Sequence, residues 1–135
     1  MAIVKGIGGA FIYSNDAARL AVWYRDYLGL EMDLHPNGSD FYRVLRTRDI
    51  DSMVIRENPV FAIRQATQEL PENRSGFMLN LRVDDLLGFL QQLREKGVGM
   101  EGEVLECKHG KHAWIKDLDG NQLELYEEIL EDAAV

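Results

Sequence analysis

Polar and apolar positions follow one order along this chain, and they follow it twice. Residues 7–14 carry aromatic and β-branched side chains behind two glycines and predict a strand. Ser14-Asn15-Asp16 then offers helix-capping side chains. Leu20, Trp23, Tyr24, Tyr27 and Leu28 recur at three- and four-residue spacing, which predicts a helix ending at Gly29. Glu31 to Leu34 reads as a short strand, residues 35–39 as a turn, and residues 41–46 and 52–56 as the strands of a hairpin. Residues 57–75 have mixed polarity and two prolines and read as a connector with a short helical or extended piece, anchored by Val60, Phe61 and Ile63. The order then restarts. Phe77 to Val83 is a strand, and Asp84-Asp85 caps a helix whose Leu86, Phe89, Leu90 and Leu93 form one face before Gly97 ends it. Strands follow within residues 99–107, at 111–116 and at 122–127, the last two joined by Leu118-Asp119-Gly120-Asn121, read as a tight turn with both central residues at positive φ. Asp16 and Asp85 lie 69 positions apart, and Gly29 and Gly97 lie 68 apart.

A repeat of that length in 135 residues implies two similar half-modules. The expected fold class is α+β: two β-α-β-β-β modules, with curved sheets around a shared cleft and helices outside. The length suits one domain, with module one at about 5–57, the connector at about 58–75, module two at about 76–127 and an acidic tail at 128–135.

Composition narrows the function. The formal net charge of −8 opposes binding to nucleic acid or anionic membranes, which need a basic face, and leaves a neutral or cationic small molecule as the expected partner. No apolar run reaches the roughly 18 residues of a membrane span, and the amino-terminal residues lack the long apolar core of a signal peptide. One cysteine, Cys107, allows no internal disulfide and fits a reducing cytoplasm. Lying in an expected strand, it reads as a small buried apolar residue.

Three stretches carry a resemblance: Asn15-Asp16 through Trp23-Tyr24-Arg25-Asp26-Tyr27-Leu28-Gly29-Leu30; Leu81-Arg82-Val83-Asp84-Asp85 with Leu93-Arg94-Glu95-Lys96-Gly97-Val98; and Asp117-Leu118-Asp119-Gly120-Asn121-Gln122-Leu123-Glu124-Leu125. In this order and spacing they resemble the vicinal-oxygen-chelate superfamily of glyoxalases, bleomycin-resistance and fosfomycin-resistance proteins and extradiol dioxygenases. Leu118 stands where the family usually has proline. The resemblance implies metal ligands on the first strand of each half and a carboxylate on the last strand. Those positions are Gly9, Met78 and Glu124. Glycine has no ligating atom and thioether sulfur is too soft for the metals of these enzymes, so no metal or other cofactor is expected. His109-x-x-His112 has ligand-like spacing but reads as a solvated loop. The twin of Glu124 in the first half is expected near Val54.

The closest logic is that of the metal-free bleomycin-resistance branch, which sequesters a ligand by stacking and apolar burial. Tyr13, Tyr42, Met78, Trp114 and Glu124 are the candidate ligand-binding residues, and Trp23, Tyr24 and Tyr27 are assigned to packing. The alternative is a glyoxalase- or dioxygenase-like lyase, isomerase or oxygenase with a non-standard metal site or acid–base chemistry from Glu124 and His112, with Lys111 nearby. No cysteine–histidine pair is evident in the linear sequence. A homodimer is what the resemblance implies.

Overall fold

The computed structural model describes residues 4–71 and 76–130. The expected amino-terminal character at 1–3, part of the connector and the acidic tail from 131 onward lie outside those residues. The described residues form two compact units, divided between Leu70 and Pro71.

The first unit contains β1 (Gly9–Ser14), α1 (Ala17–Leu28), β2 (Asp33–Leu34), β3 (Phe41–Val44), β4 (Thr47–Arg48), β5 (Ile55–Arg56) and β6 (Val60–Gln65). The second contains β7 (Leu79–Arg82), α2 (Leu86–Glu95), β8 (Glu101–Cys107), β9 (Gly110–Lys116) and β10 (Gln122–Glu128). The class is α+β. The sheets have the orders β1-β6-β3-β2 and β7-β10-β9-β8, so the two halves share one topology in which the last strand lies parallel to the first.

Both helices start as their sequences require. The Asp16 carboxylate accepts the Arg19 N–H at 3.1 Å, and Asp85 accepts the Gly88 N–H at 3.1 Å, satisfying backbone donors that the first turn leaves open. Leu20 and Tyr24 of α1 are fully buried, and the Tyr24 ring lies 5.2 Å from that of Phe61 on β6. Trp23 is buried and stacks on Tyr27, which agrees with their assignment to packing. In the second unit Leu86, Leu90 and Leu93 of α2 bury against the face of β9 and β10 that carries Ala113, Ile115, Leu123 and Leu125. Each such leucine contributes about 1.5–3 kcal/mol of burial.

Four local readings are corrected. The stretch assigned to the connector supplies β6, a central strand of the first sheet between β1 and β3. Residues 52–56 therefore do not close that sheet; among the described residues β5 pairs only with β4, in a separate two-stranded excursion. Pairing also relocates the twin of Glu124. Glu124 lies beside Asn80 and Trp114, and the matching position in the first half is Ala62, beside Phe11 and Tyr42. Finally, in the β9–β10 turn Gly120 is at positive φ (85°), while Asp119 is not. The Asp117 carboxylate accepts the N–H groups of Asp119 and Asn121, at 3.0 and 2.8 Å, which holds the longer turn without a second left-handed residue.

Candidate functional site

Alternation along β9 and β10 sends their side chains to two faces. Ala113, Ile115, Leu123 and Leu125 are buried toward α2. His112, Trp114, Glu124 and Tyr126 therefore occupy the opposite, open face, and strand pairing sets Trp114 beside Glu124 and His112 beside Tyr126. Glu124 is hydrogen-bonded through both oxygens: Asn80 Nδ2 donates to Oε2 at 2.7 Å, and His112 Nδ1 lies 2.9 Å from Oε1. The His112 ring stacks against Tyr126 with centroids 4.9 Å apart, and more distantly against Trp114 at 6.4 Å. The Tyr126 hydroxyl donates to the His109 carbonyl at 3.1 Å. His112 thus lies within β9, inside the strand expected at 111–116, with its ring held by the Glu124 carboxylate and the Tyr126 ring, while His109 is an exposed residue of the β8–β9 turn. Lys111 has the other parity and lies on the α2 side of the sheet, which removes it as an acid–base partner of Glu124.

Cys107 is also corrected. It is exposed, at the end of β8, and its Sγ lies 3.4 Å from His112 Nε2. The two-residue turn between β8 and β9 sets Cys107 beside Gly110, and alternation along β9 then brings His112 to the same face.

In the first unit the open face holds Phe11 and Tyr13 on β1, Ala62 and Arg64 on β6, and Tyr42 on β3. Phe11, Tyr42 and Arg64 border a hollow of about 350 Å³ with His35, Asn37 and Asp40. The His35 and Tyr42 rings meet edge to face at 6.0 Å, and the Arg64 guanidinium lies 5.9 Å from the centre of the Tyr13 ring. Asp40 anchors this wall. It accepts the Gln65 N–H at 2.9 Å, Asn37 Nδ2 at 2.8 Å and Arg64 Nε at 3.3 Å. These bonds, led by that of the Gln65 N–H, hold the Asp40 carboxyl below the ordinary range. A folded-state pKa below the unfolded value gives stability that is present above about pH 4 and fades as pH falls through the lowered value. The urea midpoint of the native protein should therefore drop between pH 5 and pH 3, and Asp40→Asn should flatten that drop while lowering the midpoint at pH 7.

Solved structures share this architecture along nearly the whole chain. A putative glyoxalase family protein from Bacillus anthracis matches with a TM-score of 0.66 and 16% identity, covering 96% of this chain and 99% of that one. TnmS3, an antibiotic-binding protein from Streptomyces sp. CB03234, matches at 0.63 and 16%, covering 96% and 100%. The fold is that of the glyoxalase and bleomycin-resistance proteins. A lactoylglutathione lyase from Agrobacterium tumefaciens shares it at 0.62 and 16%, covering 92% and 94%. No protein-family model and no curated protein matches the sequence itself.

The glyoxalase/bleomycin-resistance fold raises the question of whether its metal would fit here. A Cβ at Gly9 would lie 2.6 Å from the Val60 carbonyl oxygen and 3.0 Å from the Phe11 ring, so a side chain there would force β1 and β6 apart. Met78 precedes β7, is exposed, and offers only a thioether. Glu124 has both oxygens engaged. These residues do not fit a divalent ion, and among the described residues no group of three or more His, Cys, Asp or Glu side chains is gathered as a metal would require.

Of the sequence candidates, Trp114 and Glu124 are neighbours on the open face of the second sheet, and Tyr13 and Tyr42 share the open face of the first. Asn80, Tyr126 and Cys107 in the second unit, and Phe11, His35, Asp40 and Arg64 in the first, were not foreseen. Alternation from Trp114 and Glu124 points to His112 and Tyr126. Asn80 and Cys107 become visible only with strand register.

Proposed function

We propose that the protein binds a small organic molecule without a metal, on the open face of the second sheet that carries Trp114, Tyr126 and Glu124. The observation that carries this reading is Glu124: the carboxylate at a family ligand position is hydrogen-bonded to Asn80 and His112 amid aromatic rings, while the positions of its expected co-ligands can supply no hard donor. Such a surface suits a planar or cationic ligand, through stacking and a few polar anchors. An antibiotic-binding protein is among the structures that share the fold, which supports sequestration; a lactoylglutathione lyase shares it too. The proposal includes the homodimer that the resemblance implies, and a light-scattering mass equal to one chain would remove that element.

The test is a thermal-shift panel of planar aromatic and cationic compounds, since a ligand specific to the native state raises the melting temperature. At least one class should stabilise the protein, and Trp114→Ala should weaken its binding by about 0.5–1.5 kcal/mol, the contribution of one aromatic contact. Stoichiometric uptake of a divalent metal, abolished by Glu124→Gln, would overturn the reading.

A second reading is favoured by the 2.9 Å contact between His112 and Glu124, the geometry of a general base oriented by a carboxylate. Turnover of a glyoxalase- or catechol-type substrate, lost in His112→Ala, would establish it over sequestration.

A further inference from the structure

The open face of the second sheet contains a continuous chain of contacts that sequestration leaves unused. Asn80 Nδ2 holds Glu124 Oε2 at 2.7 Å, Glu124 Oε1 meets His112 Nδ1 at 2.9 Å, and His112 Nε2 meets Cys107 Sγ at 3.4 Å. We propose that Cys107 is a nucleophile toward electrophilic small molecules, with His112 as its base and Glu124 and Asn80 as positioning residues.

The order of the groups is what such a site needs. The sulfur is exposed and reachable, while the His112 and Glu124 side chains are only 18% and 15% exposed. An ionised carboxylate can only accept, so Glu124 draws the ring proton to Nδ1 and leaves the Nε2 lone pair facing the thiol. Stacking on Tyr126 fixes the ring plane, and Asn80 stops the carboxylate from rotating away. Strand pairing sets every member, since His112, Glu124 and Asn80 lie on adjacent strands and Cys107 is one hairpin away. Leu105, exposed on β8 beside His112, gives the apolar part of a ligand a surface next to the sulfur.

The substrate class is a neutral molecule with an activated double bond, such as an α,β-unsaturated carbonyl. The thiol proton passes to His112 Nε2 as the sulfur electron pair forms a bond to the β-carbon. The displaced π pair becomes an enolate, and the α-carbon takes the proton back from the imidazolium. The product is a thioether; nothing leaves, and nothing is oxidised or reduced. Sequestration is not a premise of this step, which extends the face from holding a ligand to fixing it covalently.

The experiment follows adduct formation with acrylamide at pH 7 by intact-mass spectrometry. Cys107 is the only cysteine, so an adduct blocked in Cys107→Ser is assigned without mapping. An ordinary thiol is only about 3% ionised at pH 7, so full activation can raise the rate about thirtyfold at most. The native protein should react about tenfold faster than the same chain in urea, corrected for the effect of urea on glutathione. His112→Ala should remove that gain, while His109→Ala, with an exposed ring on the same hairpin, should keep it. Glu124→Gln should also lose it, with the melting temperature followed separately and with the His112 ring-nitrogen NMR shifts reporting transfer of the proton from Nδ1 to Nε2. Equal rates for native protein, His112→Ala and unfolded chain would overturn the proposal and leave sequestration intact. A rate gain with no compound stabilising the protein in the thermal-shift panel would support the nucleophile and count against sequestration.

Discussion

A Gly9→His, Met78→His variant, built to restore both missing imidazoles, is expected to take up no stoichiometric divalent metal and to lose about 1–3 kcal/mol of stability, the usual cost of overpacking. The reason lies in strand spacing. Gly9 pairs with Val60 in the parallel β1–β6 ladder, and a Cβ there meets the Val60 carbonyl oxygen at 2.6 Å. Backbone cannot rotate away as a flexible side chain can, so β1 and β6 must separate locally. Phe11, whose ring lies 3.0 Å from the same point, must shift too. Met78→His alone meets no such obstacle and should cost little, because residue 78 is exposed. Urea unfolding of the double variant and of Met78→His separates the effects, and equilibrium dialysis followed by elemental analysis counts the metal. One zinc, nickel or manganese ion per double-variant chain, with an unchanged urea midpoint, would show that the site had been lost only by substitution and that the fold still accommodates it.

Truncating Tyr24 to alanine should cost more, about 3–5 kcal/mol, as for a large aromatic removed from a packed core. Tyr24 is fully buried where α1 meets β6, with its ring 5.2 Å from Phe61 and 5.4 Å from Trp23. No neighbour can fill so large a void, because Leu20 and Ile63 are already fully buried. Tyr24→Phe keeps the ring and should cost far less, which separates packing from the hydroxyl. Trp23 lies beside the lesion and its fluorescence reports on this unit. An alanine variant within 1 kcal/mol of the native protein would mean that α1 does not depend on this contact.

Local chemistry explains which features were legible beforehand. Each helix is specified by a capping aspartate, a run of apolar residues at helical spacing and a glycine at or just past its end, all within a few turns of chain. The α+β class and the repeat followed from those signals. The strand β6 was not legible, because Phe61, Ala62 and Ile63 are buried in succession and show no alternation. Ala62 is buried on the open face because it is small and lies between Phe11 and Tyr42 on the neighbouring strands, which erases the alternation, and the parallel partner β1 lies too far back in the chain for any turn to announce the pairing. The β4–β5 excursion meanwhile presented a more obvious hairpin, which drew the twin of Glu124 to Val54 instead of Ala62.

By itself, then, the amino-acid order determined the helices, the duplicated plan, and the absence of hard donors at Gly9 and Met78, because these depend on residue identity and short-range spacing. Tertiary structure alone decided what the remaining carboxylate does. Strand register brought Asn80, His112 and Cys107 into one line with Glu124, and register is set by pairing between segments up to 44 positions apart, which no local periodicity records.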